Sequence, residues 1–128
     1  MTVRGVRGAT TADNNTAGAI LCATETLLEA MIAANQIASP NIAAAYFTTT
    51  ADLNAAFPAT AARRIGWQHV PLLDAQEIPV PDSLPRCIRI LLLWNSDVPQ
   101  DKVVHIYQGD ARQLRPDLIQ QNQTPEED

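Results

Sequence analysis

Apolar and polar positions follow three patterns along this chain, and each predicts a different kind of element. Val3 to Thr10 alternates, with Val3, Gly5, Arg7 and Ala9 on one side and Arg4, Val6 and Gly8 on the other, which predicts a strand. Its glycines suit a close approach of backbone or ligand. After Asp13-Asn14-Asn15-Thr16, as far as about Asn35, the period becomes helical: Ile20, Leu21, Leu27, Leu28, Met31 and Ile32 recur at helical spacing, with Ala23 and Ala30 for narrow contacts. Asp13 to Thr16 offers N-caps, and Asn35 is expected just past the helix end. Ser39-Pro40 predicts a short helical turn, Ala45 to Thr50 a strand, and Phe57-Pro58 a second helix that Gly66 stops. Val70 to Glu77 predicts a strand with an edge proline, and Pro79, Pro81 and Pro85 stiffen the loop after it. The third pattern lacks alternation. Cys87 to Trp94 is apolar almost throughout and predicts a central strand buried on both faces. A turn at Asp97 to Gln100, a strand at Val103 to Tyr107 and a helical piece near Asp110 to Gln113 complete the order.

This order implies an α+β domain: a mixed, mostly antiparallel sheet with helices packed on one side. Residues 1–118 form the single expected domain, and the polar residues 119–128 an acidic, disordered tail. Two helices cover only one face of such a sheet, so an oligomer is the expected cover for the other.

Composition narrows the picture. At 128 residues, 46% hydrophobic and 18% charged, the chain can bury a core without disulfides. No apolar run approaches the ~20 residues of a membrane span, and the first residues contain no signal peptide pattern. Membrane association is therefore not expected, and the cytoplasm is the expected location. Cys22 and Cys87 lie in apolar runs and read as reduced, buried thiols. A net charge of −5 argues against nucleic acid, which demands a basic face. Eight of the nine basic residues are arginine, whose planar fork suits carboxylate and phosphate groups. Biased codon usage gives the same excess, and composition does not separate the two.

Arg89 interrupts the most apolar run. A guanidinium cannot shed its charge there, so it needs a partner. An ion pair with Glu77 or Asp74 would supply one, and so would an anionic ligand. Arg7, among small residues, poses the same question, with a sheet-edge salt bridge as the alternative. Glu77, at a strand end, reads as a ligand hydroxyl acceptor, a general base or a solvated terminus. Tyr107 shares a strand face with His105 and is ordinarily a core residue. His69 and His105 have no metal-ligand spacing with each other or with the cysteines, so no metal site is expected. There is no Gly-rich phosphate loop, nucleophile elbow or Cys-His pairing.

Taken in order, these residues carry a resemblance. Arg4-Gly5-Val6-Arg7-Gly8-Ala9-Thr10-Thr11, Asp52-Leu53, Phe57-Pro58-Ala59 with Arg63, and Gly66-Trp67-Gln68 open the pattern. Val70-Pro71, Gln76-Glu77, Cys87-Ile88-Arg89, Asp97-Val98-Pro99-Gln100, His105 with Tyr107, and Leu114-Arg115-Pro116-Asp117-Leu118 continue it. The set resembles the monofunctional AroH-class chorismate mutases over nearly the whole chain.

The resemblance implies a homotrimer with a barrel-like core and active sites at the subunit interfaces. It implies the cofactor-free Claisen rearrangement of chorismate to prephenate, on the way to phenylalanine and tyrosine. It further implies that Arg89 donates to the breaking ether oxygen and a carboxylate, and that Arg7 holds the side-chain carboxylate with Tyr107. Glu77 would accept from the ring hydroxyl. Phe57, Ala59, Leu72 and Leu73 would form an apolar wall, Arg63 would stand at the mouth, and Leu114 and Arg115 would close over the site. Two positions depart from the family pattern. Thr60 stands where a lysine can occur, and Asp74 where a cysteine or small polar residue often sits. A carboxylate at Asp74 close to Glu77 would raise the pKa of one of them. Two other classes stay open: a non-catalytic trimeric binder of carboxylate metabolites, and an imine or enamine hydrolase on a similar trimeric scaffold.

Overall fold

The computed structural model describes residues 2–114. Its strands are β1 (Val3–Thr11), β2 (Ile42–Thr49), β3 (Leu72–Gln76), β4 (Cys87–Asn95) and β5 (Ile106–Tyr107), and its helices α1 (Ala17–Asn35) and α2 (Ala59–Arg64). The strands form one sheet in the order β3-β2-β4-β1-β5. β4 runs antiparallel to both β1 and β2, while β3 is parallel to β2 and β5 to β1. The mixed, mostly antiparallel α+β arrangement is as expected, with the apolar run at its centre.

One face of the sheet is a core. Val6, Ala45, Phe47, Ile90, Leu92 and Trp94 pack against Leu27, Leu28 and Met31 of α1 and Ala59 and Ala62 of α2. Each fully buried aliphatic side chain contributes about 2 kcal/mol to that packing. Gly8 lets α1 lie close on β1: a Cβ there would stand 2.4 Å from the Met31 sulfur and 3.1 Å from Leu27 Cδ1. α1 opens as expected, with the Thr16 hydroxyl oxygen accepting from the Ala19 N–H at 3.1 Å.

Several expectations need correction. β4 is not buried on both faces of this chain. Ile88, Ile90, Leu92 and Trp94 are buried, but Arg89 and Leu91 between them are exposed. Leu91, Tyr46 and Leu73 leave an apolar strip on the open face, 37%, 37% and 57% exposed. Asn35 does not lie past the end of α1. Gln36 takes the left-handed turn at φ 54°, and Asn35 is the last helical residue. Its side chain does other work: Nδ2 donates to Val104 O at 2.8 Å, and Oδ1 accepts from Val104 N–H at 2.9 Å. The strand expected at 103–107 shortens to two residues.

Cys22 is exposed, because it lies about 200° around the helix from buried Ile20; Cys87 is buried as expected. α1 itself, 19 residues of mean hydropathy 1.5, reaches the length and composition of a membrane span, which the apolar runs alone did not suggest. Here its apolar face lies on the sheet, and Glu25 on its other side pairs with Arg64 at 3.4 Å. The expected tail at 119–128 lies outside the described residues.

Candidate active site

The ladder register builds the site. On the open face Arg7 of β1 lies level with Leu91 of β4 and, across β4, with Tyr46 of β2. One step along, Ala9, Arg89 and Thr48 form the next row, with Tyr107 of β5 beside Ala9. These residues, with Leu114, line a cavity of about 390 Å³. Two guanidinium groups from adjacent strands therefore open on one apolar-walled hollow. Among the described residues Arg7 makes no ion pair, and its backbone N–H donates to His105 Nδ1 at 3.0 Å.

Glu77 joins this cluster from just beyond β3. Its N–H donates to Thr49 O at 2.9 Å, which keeps the chain beside β2. One carboxylate oxygen accepts from Arg89 Nε at 3.2 Å and the other from the Thr48 hydroxyl at 2.8 Å. The pairing of Arg89 with Glu77, one of the two alternatives, is thus present. It is not a buried pair, however, since the Arg89 side chain is 49% exposed. An ion pair so open to water is worth at most about 1 kcal/mol. Stability alone does not account for it, and the guanidinium remains open to an anionic ligand. Cys87 lies on the same strand two residues earlier, and burial, reinforced by the Glu77 charge, pushes its thiol up to about 11. That thiol stays neutral, a quiet neighbour of the charged groups.

The remaining candidates gather elsewhere. Phe57, Pro58, Asp74, Ala75 and Gln76 line a second cavity of about 430 Å³, which shares no residue with the first. Phe57 is 72% exposed. Ala59 is buried at the start of α2, and its N–H donates to Asp74 Oδ1 at 3.0 Å. Thr60 and Leu72 are half-buried, Arg63 and Leu73 exposed, and none of the four lines either cavity. Arg115 lies outside the described residues.

Asp74 does not couple to Glu77 as expected. It is level with Phe47, on the helix side of the sheet. Burial raises its pKa, against the opposing effects of the Ala59 N–H and the Arg63 charge. A carboxyl whose folded pKa lies above its unfolded value binds more protons folded, so it costs stability at high pH and less as pH falls through the folded pKa. The variant D74N keeps an oxygen for the Ala59 N–H and removes the charge. It is expected to melt above the parent at pH 7, with the gap closing on acidification; thermal melts across pH check this.

Tyr46, Thr48 and Leu91 line the cavity and were not among the residues the sequence singled out. Alternation on β2 about buried Ala45, Phe47 and Thr49 was the available signal for Tyr46 and Thr48.

A family model described as chorismate mutase type I matches residues 3–118. The chain is 57% identical over 117 residues to a chorismate mutase AroH of Thermus thermophilus, covering 91% of this chain and 96% of that protein. It is 42% identical over 119 residues to the chorismate mutase AroH of Bacillus subtilis, covering 92% and 94%. A solved chorismate mutase from Clostridium thermocellum aligns with a TM-score of 0.83 at 42% identity, over 84% of this chain and 96% of that one.

Proposed function

The chain belongs to the type I chorismate mutase family and is a chorismate mutase, an isomerase converting chorismate to prephenate; we propose that Arg7, Glu77 and Arg89 are its catalytic centre. The observation that carries this reading is the convergence of two arginines, one held against a carboxylate, on a single open cavity.

The chemistry fits that cluster. Chorismate is a dicarboxylate with a ring hydroxyl. In one pericyclic step its ether C–O bond breaks while a C–C bond forms. No proton moves and no covalent intermediate forms, so the step calls for no acid–base pair and no cofactor. Two tasks remain: holding the side chain over the ring, and stabilising negative charge as it develops on the ether oxygen. Arg89 donates to that oxygen. Arg7 and Tyr107 hold the side-chain carboxylate. Glu77 accepts from the ring hydroxyl and lies near the positive charge that develops on the ring. Leu114 bounds the cavity, with Arg115 following it in the chain.

The other half of the site comes from a neighbouring subunit. Phe57 and Asp74 line the second cavity, Ala59 is bonded to Asp74, Thr60, Arg63, Leu72 and Leu73 are assigned to the same half by the resemblance, and a homotrimer brings that cavity to the first. The exposed Tyr46, Leu73 and Leu91 strip supports such an assembly, because it is apolar surface left open by the described residues of one chain. Two free cysteines accord with a cytoplasmic location. Neither the metabolite-binding alternative nor the hydrolase alternative is favoured by the relatives, which are mutases by name.

The test mixes the purified protein with chorismate, without metal or cofactor, and follows loss of diene absorbance while assaying prephenate. Saturable conversion is expected. Binding without conversion would overturn the catalytic reading and restore that of a binding protein.

A further inference from the structure

We propose that Thr48 is a positioning residue for this reaction, its hydroxyl fixing the plane in which the Glu77 carboxylate meets the substrate's ring hydroxyl. The inference rests on the reading of Glu77 as a substrate-binding residue. Thr48 is held in the ladder from both sides, level with Arg89 on β4 and Ala75 on β3. Its side chain is β-branched, so few rotamers are open to it. Glu77 is less constrained. It lies past the end of β3, anchored at its N–H to Thr49 O.

From that anchor the glutamate reaches back to two donors, Thr48 Oγ1 at 2.8 Å and Arg89 Nε at 3.2 Å. One bond alone would leave the carboxylate free to turn about it. Two bonds, one to each oxygen, fix its plane and leave a lone pair on each oxygen for a ligand. The two donors are not equivalent. Arg89 is 49% exposed and must also serve the substrate. Thr48 has a single hydroxyl hydrogen, and Glu77 takes it. With the Arg89 fork shared between Glu77 and the ether oxygen, Thr48 is the partner that serves Glu77 alone.

Kinetics of the full-length enzyme test this with T48V, T48S, E77A and the double variant T48V/E77A. Valine keeps the shape and loses the donor. T48V is expected to lower kcat about tenfold, the scale of one hydrogen bond to a charged group. KM should stay within about twofold, because the bond matters where charge develops. T48S should keep most of the activity. In the E77A background T48V should cost almost nothing more, which a mere packing role for Thr48 would not produce. A T48V enzyme with normal kcat, or an equal loss with and without Glu77, would overturn the proposal while leaving Glu77's own role intact. Normal turnover by E77A would overturn both. T48A serves as the second donor-free variant if valine disturbs the strand.

Discussion

Arg89→Gln is expected to lower kcat for chorismate about a hundredfold or more, a loss of roughly 3 kcal/mol in transition-state stabilisation, with a much smaller change in KM. Two features set that size. The guanidinium is the donor assigned to the ether oxygen, where charge appears only as the bond breaks. It also holds one oxygen of Glu77, at 3.2 Å. Glutamine retains a donor and much of the reach but no charge. The fold should survive, because an ion pair with one partner half in water adds little stability. Lysine at position 89 should recover only part of the rate, since a point charge cannot face Glu77 and the ether oxygen as a fork does. Steady-state kinetics with a thermal melt as control decide the matter. A near-normal kcat for the glutamine variant would remove Arg89 from the chemistry and leave it an ordinary affinity group.

Mixing two inactive variants is expected to restore activity. Arg89→Gln damages the first cavity and Phe57→Asp the second. Phe57 is 72% exposed, so the aspartate disturbs little within its own chain. If each site joins one subunit's first cavity to its neighbour's second, some interfaces in a mixed ring pair two intact halves. Random assembly from equal amounts makes that fraction one half times one half, so about a quarter of wild-type activity should return. The measurement is activity after the two variants are unfolded together and refolded, against each refolded alone. No recovery, from subunits shown to exchange, would mean that each chain carries its whole site.

The difference between those two cavities explains why the sequence was legible in some places and not in others. Alternation in β1 and the apolar character of β4 placed both arginines on strands, and the interruption at Arg89 marked it as needing a partner. Which face it occupied was less legible. With Ile88, Ile90 and Leu92 on one side and Leu91 and Leu93 on the other, hydrophobicity reads the same on both faces of β4. Only the ladder reveals that Arg89 and Leu91 look away from the helices. Glu77 and Asp74 lie three residues apart near one strand end, and spacing suggested mutual repulsion. Strand geometry puts them on opposite sides instead, where Ala59 and Arg63 act on Asp74. Alternation placed Thr48 on the side of Tyr46 but gave it no role, because a threonine in a strand is ordinary until a carboxylate is found 2.8 Å away. Asn35 read as a helix terminator by residue type, yet the left-handed position fell to Gln36 while the amide was used elsewhere.

That use of Asn35 has a consequence for how the cavity opens. Arg7 and Arg89 are fixed by a nine-residue antiparallel ladder. Tyr107 belongs to a two-residue strand that such short pairing holds poorly. Side chains take over there: the Asn35 amide mimics a neighbouring strand for Val104, and His105 accepts the Arg7 N–H. The hollow thus has one wall whose opening requires the central ladder to melt and one that opens when a few bonds at the sheet margin let go. Amide exchange near Val104 and Tyr107 would then run ahead of exchange in β4. A substrate touching both Arg89 and Tyr107 would close that gap by tying the margin to the centre. Part of its binding energy goes into ordering the wall it leans on.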